Sequence, residues 1–127
     1  MKLRRLGVAL RMAAWIVFLS LLAPLLPLRA LLRLIDTRRR DHAGLTPQQL
    51  AAIVDRIFRA DLLHRSCWKR AAVLRRYLLL NGVETEVVFG VRKGGEKLAG
   101  HAWLERGGRP FLEEREPEYV VTFRYPS

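Results

Sequence analysis

The stretch SCWKRAAVLRRYLLLNGVETEVVFGV, residues 66–91, decides the fold. Its first part has helical spacing. Trp68, Ala71, Ala72, Leu74, Leu78 and Leu79 fall on a core-facing side, and Arg70, Arg75 and Arg76 largely on a solvated one. Asn81-Gly82 closes this helix, the glycine supplying the left-handed conformation. From Val83 to Val91 the pattern changes to the alternation of a strand. The helix opens at Ser66 or Cys67, and Cys67 is the only cysteine in the chain.

Downstream the strand pattern continues. RKGGEK (92–97) reads as a turn or loop, GHAWLER (100–106) as a second strand, and Gly107-Gly108 as a tight turn. RPFLEE (109–114) is a third strand and EYVVTFRY (118–125) a fourth. Upstream, LTPQQLAAIVDRIFRA (45–60) is a second helix. Thr46 is its N-cap, Pro47 its first residue, and Gln49 completes a capping box. Leu50, Ile53, Val54, Ile57 and Phe58 form its apolar face. RRRDHAG (38–44) reads as a charged linker. Helices followed by an antiparallel β-meander give the class α+β.

Residues 12–28, MAAWIVFLSLLAPLLPL, carry no charge between Arg11 and Arg29. Three readings compete: a membrane segment at the short end of the spanning range, a secretory signal, or a packed helical hairpin. Pro24 and Pro27 disfavour a spanning helix, and no small-residue cleavage site follows. The hairpin is favoured, with a break near Pro24 and Pro27 and a short amphipathic helix at 28–35. Trp15, Phe18, Leu19 and Leu22 would be its packing face.

The 127-residue length suits one domain, and a hydrophobic content of 50% suffices for a core. A single cysteine forms no intramolecular disulfide, which points to a reducing compartment, and is too few for a thiolate zinc site. Residues 1–40 carry nine Lys or Arg against one acid, Asp36, a net +8 of the chain's +11. Such a segment suits anionic lipid or nucleic acid. The aromatic–basic interleaving of a single-strand binder is missing, so nucleic acid is not expected.

A cysteine at a helix N-terminus meets free backbone N–H groups and the positive end of the dipole, which favour the thiolate. The same donors could hold an oxyanion. A thiolate nucleophile also needs an imidazole. His42 lies in the linker and His64 three residues before Cys67. His101 lies in the second strand, sharing one face with Trp103 and Glu105. An orienting acid is available across the hairpin in Glu113 or Glu114, which alternation sets on opposite faces. Singly, each of these residues has an ordinary structural role. Cysteine at a helix start, then histidine on a strand, then an acid beyond the hairpin is a more specific order.

SCWKRAAVLRRYLLLNGVETEVVFGVRK followed by GHAWLERGGRPFLEE resembles the small transglutaminase-like peptidases of lasso-peptide biosynthesis, over roughly residues 15–125. The resemblance implies a papain/transglutaminase-like core in one compact domain. Residues 41–127 would be the peptidase core. Residues 1–40 would be a basic, apolar helical segment packed on it or docking a partner. By position, Cys67 resembles the nucleophile, His101 the general acid/base and Glu113 the orienting acid, with Glu114 as the alternative. Trp103 and Trp68 are candidates for substrate contact. Relatives often have Asp at the acid position, and papain-type enzymes often place a Gln before the cysteine, where this chain reads ADLLHRS.

The implied activity is removal of the leader from a ribosomally made precursor peptide, without metal or organic cofactor. The implied partners are that precursor, a separate leader-recognition protein and an ATP-dependent macrolactam synthetase. The implied location is the cytoplasm, with the membrane surface as a second contact for residues 1–40. Two other readings stand beside this one. One is a transglutaminase-like peptidase or amidase of another peptide-modifying pathway. The other is a non-enzymatic, basic membrane-associated module with a core cysteine.

Overall fold

A computed structural model describes residues 2–37, 45–59, 67–94, 97–112 and 119–126. Four helices precede four strands: α1 (Lys2–Leu22), α2 (Leu28–Ile35), α3 (Pro47–Arg59), α4 (Cys67–Leu80), β1 (Glu86–Gly94), β2 (Lys97–Arg106), β3 (Arg109–Phe111) and β4 (Val120–Tyr125). The class is α+β. The linker at 38–44 lies outside the described residues.

Local chemistry sets the boundaries. α1 ends just before Pro24, and Pro27, extended at φ −66° and ψ 155°, directly precedes α2. α3 starts on a reciprocal capping box. The Thr46 N–H donates to Gln49 Oε1 at 2.8 Å, and the Gln49 N–H donates to Thr46 Oγ1 at 3.1 Å. α4 ends in a Schellman motif. Gly82 takes φ 78°, its N–H donates to the Leu79 carbonyl, and the Val83 N–H donates to the Leu78 carbonyl.

α4 is the central element and packs against α1, α2, α3, β1 and β2. None of its described side chains is exposed, and even Lys69 and Arg75 are buried. Ala71, Ala72, Val73, Leu74, Tyr77 and Leu78 are all buried. Val8, Met12, Ile16 and Leu19 of α1 join Leu31, Leu32 and Ile35 of α2, and Leu50 and Val54 of α3, in one core with Val87, Leu104 and Tyr125 of the sheet.

Several expectations are corrected. The packing face of α1 is Val8, Met12, Ile16 and Leu19. Phe18 is 44% exposed and Trp15 and Leu22 are half-buried at the edge of that face. With apolar residues all round α1, periodicity alone could not fix its rotation. Arg75, read as solvated, is 6% exposed. Its Nε donates to the Thr85 carbonyl at 3.1 Å, its Nη1 pairs with Asp36 at 3.2 Å, and the guanidinium lies over the Tyr125 ring, 5.2 Å from its centroid.

The sheet also departs from a simple meander. All pairs are antiparallel, but the order is β3-β2-β1-β4. The first three strands form the expected meander, and β4 returns to the free edge of β1. β1 starts at Glu86 rather than Val83 and runs to Gly94, so the 92–97 loop is mostly ladder. Gly107 and Gly108, at φ 62° and 80°, make the expected two-residue turn. β3 is only three residues long, and Leu112 after it has φ 59°.

Candidate functional site

Cys67 is the first residue of α4, so its backbone stands where N–H groups lack intrahelical partners. Its side chain lies outside the described residues, as do Ser66, His42, His64, Glu113 and Glu114. The structure therefore defines the site from the histidine side.

His101 sits on β2 opposite Gly90 of β1. Strand alternation turns Leu104 into the helical core and puts His101, Trp103 and Glu105 together on the other face of the strand. These three residues form a connected row. The His101 ring stacks on Trp103 at 5.8 Å between centroids and 19° between planes. The Trp103 indole N–H donates to Glu105 Oε2 at 2.9 Å. Arg124 Nη1 on β4 donates to Glu105 Oε1 at 2.7 Å and also pairs with Glu86 at 3.5 Å. Glu105, buried and charged, is thus held by an indole on one oxygen and a guanidinium on the other.

Tyr119, just before β4, closes the stack. Its ring lies 5.3 Å from His101 and 5.9 Å from Trp103. Gly90 makes this possible. A Cβ there would stand 2.8 Å from Tyr119 Cβ, 2.9 Å from Trp103 Cη2 and 3.0 Å from the Val120 carbonyl oxygen. The β1–β4 register shifts between Phe89 and Gly90, at the same place.

Arg70 ties the first turn of α4 to α3 and to the end of β3. It stands three residues past Cys67. Its Nε donates to Asp55 Oδ1 of α3 at 2.6 Å, and its Nη2 donates to the Leu112 carbonyl at 3.2 Å. Burial lowers the His101 pKa below its ordinary 6.5, and the positive charge of Arg70 lowers it further. The imidazole is accordingly held neutral near pH 7, the form that accepts a proton.

The two candidate substrate contacts differ in placement. Trp103 is 2% exposed and serves as the platform for His101. Trp68 is partly buried against the core, with Lys69 Nζ 5.8 Å from its ring. Tyr119, Gly90 and Arg70 are the neighbours of His101 that sequence reading missed. Tyr119 and Gly90 meet His101 only through the β1–β4 pairing. Arg70 could be suspected from its position one turn after Cys67. Among the described residues, no cluster of His, Cys, Asp or Glu could hold a metal ion.

The family model described as transglutaminase-like superfamily matches residues 6–124, nearly the whole chain. Searches of curated proteins and of solved structures gave no significant match.

Proposed function

The chain belongs to the transglutaminase-like superfamily, and from that membership we propose that it is a cysteine peptidase that removes the leader from a ribosomally made precursor peptide during lasso-peptide maturation. One observation carries the reading. α4, which opens with the chain's single cysteine, packs against β2, the strand that bears His101.

In this mechanism Cys67 Sγ attacks the carbonyl carbon at the leader–core junction while His101 takes the thiol proton. The tetrahedral oxyanion is held by backbone N–H groups at the start of α4. Collapse breaks the C–N bond, and His101 gives its proton to the departing amine of the core. Water, deprotonated by His101, then hydrolyses the thioester and frees the leader carboxylate. Glu113 orients the imidazole, with Glu114 as the alternative. Trp103 and Tyr119 hold the ring plane. A separate leader-recognition protein delivers the precursor, and the freed core amine passes to an ATP-dependent macrolactam synthetase.

The test is cleavage of a precursor peptide by the full chain together with its leader-recognition protein, read by mass spectrometry. Cys67→Ala and His101→Ala each lower turnover by roughly a thousandfold or more. Retained cleavage in Cys67→Ala contradicts the mechanism. A larger loss from Glu114→Ala than from Glu113→Ala assigns the third role to Glu114.

A further inference from the structure

α1 is apolar on two sides, and the fold covers one of them. Val8, Met12, Ile16 and Leu19 are buried in the core. On the opposite side Leu6, Leu10, Val17 and Leu21 are 56%, 63%, 42% and 68% exposed, and Leu25 extends the stripe at 75%. The spacing of 10, 17 and 21 keeps these residues on one outward line. The contrast with α3 is clear: among its described side chains the exposed ones are Gln48, Ala52 and Arg56. A long apolar outward face on one helix calls for a cover.

Charge indicates which cover. Beside the stripe, between α1 and α4, lies a groove of about 480 Å³. Trp15, Phe18 and Leu80 give it apolar walls, and Arg11 and Arg76 add two guanidinium groups. Arg76 is anchored by a bond from Nη1 to the Ile35 carbonyl at 3.0 Å and lies 4.5 Å over the Trp15 ring. No carboxylate lines the groove among the described residues. Arg5 on α1 and Arg29 and Arg33 on α2 are also exposed, and residues 1–40 carry a net +8. A second copy on this face would bring like-charged arginines together. A bilayer offers hydrocarbon to the leucines and phosphate to the guanidiniums.

We infer that the outward face of α1 and the groove beside it dock the protein onto an anionic phospholipid surface. Arg5–Leu22 is long and apolar enough to cross a bilayer. Crossing would pull Met12, Ile16 and Leu19 out of the core, so α1 lies along the interface with its arginines at headgroup depth.

The experiment is co-sedimentation of the full chain with vesicles of phosphatidylcholine, with and without phosphatidylglycerol. Binding is expected to need phosphatidylglycerol and to weaken as salt rises. Leu10→Gln and Leu21→Gln should each lower partitioning roughly tenfold. Arg11→Gln should lower it about fivefold on the anionic vesicles alone. All three residues are exposed, and unchanged thermal melting of the variants shows that the fold is intact. Four results overturn the inference: no vesicle binding, equal binding to neutral vesicles, resistance to alkaline extraction as for a spanning helix, or light scattering that shows a dimer dissociated by the two leucine substitutions.

Discussion

In the proposed mechanism the chemistry turns on His101, and its surroundings make a prediction about pH. Burial and Arg70 both disfavour the imidazolium, so the folded protein protonates His101 below 6.5. The unfolded chain takes up the same proton near 6.5, so this group destabilises the fold progressively as pH drops from 6.5 through the folded value. The C2-proton NMR shift of His101, assigned by comparison with His101→Gln, should titrate below 6.5. The acid limb of kcat/KM should lie there too. Arg70→Met should raise that pKa, while Arg70→Lys should leave it closer to the parent value. Because burial is the larger cause, even Arg70→Met should remain below 6.5. The histidine and its face-mates Trp103 and Glu105 were legible in the sequence, because alternation along a strand needs no tertiary information. Arg70's neighbourhood was not, because it depends on how α4 crosses the sheet.

At the scale of elements, β1 and β2 work as a frame whose thin point is Gly90. Its backbone is not left-handed. Glycine is there because Tyr119 and Trp103 occupy the space of a Cβ. Gly90→Ala should cost about 1–3 kcal/mol in urea unfolding and push the aromatic rings off His101. Loss of the proposed peptidase activity should therefore exceed the loss of folded protein. Glu105→Ala tests the other end of the row. It leaves the buried indole N–H of Trp103 without its acceptor, at about 1–3 kcal/mol, whereas Glu105→Gln keeps an acceptor and should cost less. Equal losses for the two variants would show that charge, and not the indole bond, is what Glu105 supplies. Helix ends were the best-read elements: Thr46 with Gln49, and Gly82 after α4, are settled by bonds between near neighbours. The return of β4 to β1 was not legible, since strands of the same alternation can pair on either edge.

For the whole molecule, the helices of residues 1–37 are bound to the remainder by one core. Met12, Ile16 and Leu19 are fully buried with α4, so Ile16→Ala should lower stability by about 2–5 kcal/mol. Deleting α1 should leave a chain without cooperative thermal unfolding. A deletion variant that melts like the parent would show α1 to be an appendage. The α+β class followed from the change of period after Gly82. The two apolar sides of α1 hid which one packs, because hydrophobicity marks a buried side and a lipid-facing side alike.

The central claim is that Cys67 and His101 act as one nucleophilic unit, and alkylation of the single thiol by iodoacetamide across pH tests it most directly. The rate in the parent protein should rise with an apparent pKa well below the free-thiol value of about 8.5, a property of the coupled pair. In His101→Ala it should move back towards that value. Identical profiles in both proteins, following an ordinary thiol titration, would contradict the account and make Cys67 a structural residue.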